Sequence, residues 1–152
     1  MKITATMLML LLLPVLTMAN EIFTPDHTQE SGSHLPECPD SPNCVSSKAQ
    51  DPAKRVESFP LRGTPSESLR RLEEIIHAMP RATIAASSPG RIQAEFRSIL
   101  GFVDDILFQV APDGKVIHVR SAARTGHWDL GVNRKRVERI RKQYVGSGKE
   151  QF

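Results

Sequence analysis

The sequence predicts an α+β domain, an antiparallel sheet of about four to five strands with two helices packed on one face. Three observations predict it. Between residues 81 and 122, apolar residues alternate with polar ones in segments divided by Pro- and Gly-containing turns, the pattern of half-buried strands. A stretch opening at Pro65 and another from Val132 to Tyr144 repeat their apolar residues at helical spacing instead. With a short apolar piece before the first helix, the order becomes strand, helix, four strands, helix. An antiparallel sheet covered on one face is the economical arrangement of that order.

The chain opens on a segment that reads as an export signal over residues 1–19. Lys2 supplies a positive start, Met7 to Leu16 is almost unbroken apolar sequence, and Ala19 offers a small residue for cleavage. The apolar run is shorter than the roughly 20 residues a membrane span needs, so no stable transmembrane span is expected after cleavage. The alternative is an uncleaved N-terminal anchor. Residues 20–35 are polar, aperiodic and contain Ser-Gly-Ser, which predicts a flexible linker. A single domain follows over residues 36–146, with a disordered tail at 147–152.

The domain begins with CPDSPNCVSS, which holds the chain's two cysteines, Cys38 and Cys44. Pro42 disfavours helix at Ser41, and Asp40 and Asn43 supply turn-forming side chains, so the segment should curl and bring the sulfurs together. A structural disulfide is the favoured reading. It implies α-carbons about 5.5 to 6 Å apart and a loop so short that its closure contributes about 2 kcal/mol or less. A redox pair lacks the Cys-X-X-Cys spacing. A metal site lacks ligands beyond His34, and neither a metal nor a cofactor is expected. With the export signal, the disulfide points to a periplasmic or secreted protein.

A strand-like piece spans Val56 to Leu61. Thr64, Pro65 and Glu67 then form a capping box with proline in the first turn. Leu69, Leu72, Ile76 and Met79 fall on one helical face, Ile75 widens it, and Pro80 ends the helix. Arg81–Ala86 and Arg91–Ser98 read as strands around a turn at Ser87–Gly90. Ile99 to Phe102 form an apolar bend at Gly101. Val103–Val110 and Lys115–Ala122 flank Ala111-Pro112-Asp113-Gly114, a hairpin signal. The last helix carries Val137, Ile140 and Tyr144 on one face.

Loss of Lys2 with the leader takes Lys+Arg from 20 to 19 against 17 Asp+Glu, which is not the balance of a nucleic-acid binder. The cations are nevertheless crowded into Arg134, Lys135, Arg136, Arg139, Arg141 and Lys142. A solvated helix face is the bland account; an anionic small molecule, a lipid headgroup or an acidic envelope partner is the sharper one.

Hairpin pairing places the polar residues. Asp104 and Asp105 should lie opposite Arg120, Ser121 and Ala122, within one residue, and near Phe96 and Arg97. Arg97, Asp104, Asp105, Arg120 and Ser121 are therefore expected at one end of the sheet, with Arg124, His127 and Asp129 in the loop leaving it. If Asn133 caps the final helix, Arg134, Lys135 and Arg136 occupy its first turn, where the dipole disfavours cations. Asp129 or the two aspartates must compensate them, or an anion must. Two readings follow. One is an Asp–Arg network locking the last loop and helix onto the sheet. The other is an anion-binding site drawn from Asp104, Asp105, Arg120, Ser121, Arg124, Asn133 and Arg134.

No catalytic residue is assigned, and the reading leans away from an enzyme. Ser121 with His118 or His127 and Asp129 supplies the residue types of a hydrolase. His118, however, is three strand positions from Ser121 and so on the other face. As strand neighbours Asp104 and Asp105 also face opposite ways, which argues against a shared acid/base pair. A hydrolase using Ser121 and a purely structural partner-binding module stay as alternatives to an exported binding protein.

CPDSPNCVSS, DDILF and VIHVRSAARTGHWDLGVNRKRVERI together resemble the signature segments of the uncharacterised domain-of-unknown-function family numbered 1499, over roughly Pro36 to Tyr144. The resemblance implies a small exported or membrane-attached protein and carries no activity. It implies recurring positions at Cys38, Pro42, Asn43, Cys44, Asp104, Asp105, Arg120, Ser121, Arg124, Asp129, Gly131, Asn133 and Arg134. His127 and Trp128 look less typical of it.

Overall fold

The computed structural model describes residues 34–146. The expected signal at 1–19, the linker as far as residue 33 and the tail at 147–152 lie outside the described residues. Helix α1, Pro65–His77, starts where its capping residues require. Thr64 Oγ1 accepts the Glu67 N–H at 3.2 Å, and Glu67 Oε2 accepts the Thr64 N–H at 2.7 Å. The second helix, α2, is Val132–Gly146.

Six strands form one antiparallel sheet: β1, Cys44–Ser46; β2, Phe59–Pro60; β3, Ala82–Ser88; β4, Arg91–Arg97; β5, Val103–Val110; and β6, Val116–Ala123. Their order is β1-β6-β5-β4-β3, with β2 also on β6. The expected α+β class and the two helices over an antiparallel sheet are therefore present, with more strands than expected. The additional strand is β1, which grows straight out of the cysteine loop. Three residues are too few to show a period of two, so nothing local marked them. The piece expected at Val56–Leu61 shrinks to two residues, because β1 and β2 divide the same edge of β6 between them. Cys44 to Ser46 pair with Ala122 to Arg120, and Phe59 and Pro60 pair with Ile117 and Val116.

Alternation along the strands assigns the faces. Ile92, Ala94 and Phe96 of β4, Ile106 and Phe108 of β5, and Ile117 and Val119 of β6 are buried beneath Leu69, Leu72 and Ile76 of α1 and Val137, Ile140 and Tyr144 of α2. Phe59 sits at the centre, its ring edge-on to Phe108 at 5.2 Å and to Tyr144 at 5.6 Å. The opposite face is partly covered as well. Leu35, Cys44, Leu107 and Ala122 are buried but stand apart from the main core, and Arg120 Nε donates to Glu37 O at 3.3 Å across that face. The folded segment thus reaches at least to Leu35, inside the stretch expected to be linker.

Cys38 and Cys44 form the expected disulfide, with α-carbons 5.6 Å apart. Because Cys44 is itself a buried strand residue, the bond ties the segment before it to the edge of the sheet. Cys38→Ser is expected to lower unfolding free energy by about 2 kcal/mol or less and to make residues 36–44 the first site of protease nicking. Unchanged nicking in the variant or after reduction would remove that role.

Candidate functional site

The expected gathering of polar residues at one end of the sheet divides between its two faces. Asp105 pairs with Ala122, inside the expected span, and Asp104 with Ala123, one residue beyond it. Successive strand residues face opposite ways, so Asp104 and Ser121 lie beneath α2 while Asp105, Arg120 and Arg124 belong to the other face.

Beneath α2 the polar groups form one network around Asn133, which is fully buried. Ser121 Oγ donates to Asn133 Oδ1 at 2.5 Å. Asn133 Nδ2 donates to Asn43 O at 3.2 Å and to Asp129 Oδ2 at 3.0 Å. Arg136 donates to Asn133 Oδ1 at 2.7 Å and to Asp104 Oδ2 at 2.5 Å, and its guanidinium lies 4.7 Å from the centre of the Phe96 ring. The Asn43 side chain in turn donates to Gly126 O. This network joins the cysteine loop, β5, β6, the loop after β6 and the start of α2.

Asn133 is not the helix cap that the sequence suggested; it lies inside the first turn. Asp129 holds that end instead, accepting the N–H groups of Gly131 at 2.9 Å and of Asn133 at 3.0 Å. Burial acts to raise the Asp129 carboxyl, but the hydrogen bonds from Asn133 and Gly131 outweigh it, and its pKa lies below the ordinary aspartate value. Two of the three first-turn cations are answered, and Lys135 is exposed. Arg136 has Asp104. Arg134 donates to Arg55 O at 2.8 Å and Ala53 O at 2.6 Å, which places it in neither polar cluster. Further along, Arg141 donates to Ser58 O at 2.9 Å, and its guanidinium is 4.2 Å from the Phe59 ring centre. Part of the basic run thus straps the 53–58 loop to α2, leaving Lys135, Arg139 and Lys142 exposed.

On the other face Arg124 bridges two carboxylates. It reaches Asp105 through both oxygens at 2.7 Å and also donates to Glu95. Hydrogen bonds to Asp105 first and Glu95 second raise its pKa above the usual arginine value. Arg97 completes the group, 3.4 Å from Glu95. Arg120 is half-buried; desolvation lowers its pKa, against the opposing charge of Asp105.

These contacts bear on chemistry. The Ser121 hydroxyl is fully buried and donates to an amide, and the backbone pairing places His118 on the other face, as the spacing required. His118 Nδ1 instead lies 3.3 Å from Ser47 Oγ and 3.2 Å from Ser58 Oγ. Burial, followed by the charge of Lys48, lowers its pKa. His127 is exposed against the Trp128 ring rather than placed over Asp129.

Sequence reasoning passed over a different set. Ile99 and Leu100 are 85% and 82% exposed in the β4–β5 turn, with Phe102 beside them, and Trp128 and Leu130 are 72% and 85% exposed in the β6–α2 loop. The signal was a run of apolar residues in a hairpin turn, where polar residues are the rule. Both segments leave adjacent strands at the same end, held together by the bond from Arg124 N–H to Val103 O at 3.0 Å.

No helix among the described residues is long and apolar enough to cross a membrane. Comparison with curated proteins gives no match. A family described as Protein of unknown function (DUF1499) matches residues 34–144, from the first described residue to Tyr144, the last buried residue of α2. That span takes in the disulfide, every strand and both polar clusters, and the chain belongs to the DUF1499 family.

Proposed function

We propose that this protein is an exported, envelope-associated binding module that engages its partner through the end of the sheet formed by the β4–β5 turn and the β6–α2 loop. The observation that carries the reading is the outward display of Ile99, Leu100, Trp128 and Leu130 at that end. Large apolar side chains clustered in solvent mark interaction surfaces. The Asp–Arg groups serve as the frame for this surface. Arg124 and Arg136 already hold carboxylates, so neither offers an open fork to an anion, and the network around Asn133 fixes the loop that carries Trp128 and Leu130. A hydrolase built on Ser121 finds no support in a hydroxyl that is buried and committed to Asn133.

The reading is tested by a photo-reactive side chain placed at Leu100 in cells that export the protein. Adduct formation there is expected to exceed that from the same group at Ser66, an exposed position on α1. Equal labelling at the two positions would count against the assigned end.

A further inference from the structure

From the geometry of that same end we infer that its partner is an anionic lipid bilayer, touched by the two loops and steadied by basic residues behind them. The inference rests on the binding role proposed above and names the partner.

Three independent features converge on it. The first is composition. The apolar residues exposed at this end stand on two neighbouring segments, Ile99, Leu100 and Phe102 in the β4–β5 turn, and Trp128 and Leu130 in the β6–α2 loop with Val132 at the start of α2. Aliphatic side chains flanking a tryptophan are the composition that settles at a bilayer interface, where the indole sits at headgroup level.

The second feature is how the residues are held. Ser98 closes its turn, with its N–H donating to Phe102 O at 2.8 Å and its Oγ accepting the Phe102 N–H at 3.0 Å. Leu130 has φ +53°, a left-handed backbone that side chains other than glycine rarely adopt. A strained backbone that buries its leucine would be explained by packing. Here the same backbone turns the leucine into water, and Asp129 and Gly131 hold it there. Strain of this kind persists where the surroundings impose it and collects at functional segments.

The third feature is charge. Lys135, Arg139 and Lys142 are exposed at spacings of four and three along α2, so they share one stripe that begins a turn beyond Val132. Arg97 stands beside the other turn, 3.4 Å from Glu95. The acidic groups of β4, β5, the β6–α2 loop and α2 are engaged within the protein: Asp104 with Arg136, Asp105 and Glu95 with Arg124, Glu138 with Arg141, and Asp129 at the start of α2. Beyond these pairs, the exposed stripe of α2 is basic, which complements anionic lipid.

Trp128 is the chain's single tryptophan, so its emission reports directly on the proposed contact. The whole exported protein is mixed with vesicles of equal parts phosphatidylglycerol and phosphatidylcholine, and with vesicles of phosphatidylcholine alone. A blue shift of Trp128 emission and co-sedimentation are expected with the anionic vesicles, weakening as salt is raised. Ile99→Ser with Leu100→Ser keeps the fluorophore and the N-terminus, and alters only exposed side chains. It should reduce partitioning by roughly 30-fold, the equivalent of losing about 2 kcal/mol of apolar burial. Lys135→Gln and Arg139→Gln should each reduce it roughly fivefold, about 1 kcal/mol per charge near the surface.

The inference is overturned if the anionic vesicles leave Trp128 emission unchanged, or if the double serine variant binds them as the parent does. Preferential cross-linking at Leu100 together with absence of vesicle binding would assign the end to a protein partner, so the binding role would stand and the lipid would fall. Failure of both would remove both.

Discussion

Asp104→Ala is expected to lower the unfolding free energy by about 3 kcal/mol, within the range for removing one partner of a buried ion pair. The Asp104 and Arg136 side chains are 14% and 11% exposed, so the loss leaves a guanidinium in a largely dry site. Arg136 retains the Asn133 oxygen and the Phe96 ring, which keeps the expected loss at the lower end of the range. Asp105→Ala, one residue on, should cost about 1 kcal/mol or less. Its partner Arg124 is 42% exposed and keeps Glu95. Urea denaturation of both variants checks the contrast, with the midpoint shifting and the slope unchanged. Equal losses at the two neighbours would show that the face each one occupies is not what sets the energetics of this end.

Phe59→Ala should be at least as damaging, at about 3 to 5 kcal/mol. A strand of two residues has almost no pairing of its own, so side-chain packing must supply what holds it. Phe59 is fully buried, meets Phe108 and Tyr144 edge-on, and lies under the guanidinium of Arg141. Removing the ring opens a cavity between the sheet and α2 and unseats the strap from Arg141 to the 57–58 carbonyls. Calorimetric unfolding reads the effect. A loss within about 0.5 kcal/mol, the scale of a neutral surface change, would contradict the central place given to this ring.

Much of the frame was legible because it follows from local rules. The capping box at Thr64 and Glu67 and the apolar stripe of α1 are short-range patterns, and so is the alternation of Ile92, Ala94 and Phe96. Each has one low-energy outcome. The same alternation placed Asp104 and Asp105 on opposite faces and His118 away from Ser121. The candidate cluster was legible only as a neighbourhood. Hairpin register brought Asp104, Asp105, Ser121 and Arg124 to one end, but it carried no information on which cation meets which carboxylate. Arg134 and Arg136 are two residues apart in the same basic run. One turns to the 53–55 carbonyls and the other to Asp104, a choice made by the helix's rotation against the sheet.

Asn133 shows the same division. Its residue type and position beside a basic run suggested a cap. Because Asp129 takes the free N–H groups of Gly131 and Asn133, Asn133 is released to turn inward, where Ser121 and Asn43, distant in sequence, meet it. The short strand β1 is likewise a tertiary product, ordered by an edge of β6 that needed partners. Class, faces, the disulfide and the helix start at Thr64 are consequences of neighbouring residues and were open to sequence reasoning. The Asn133 network, the straps from α2 and the joint display of the two apolar loops depend on contacts between residues far apart in the chain. Those contacts exist only once the sheet has brought its strand ends together.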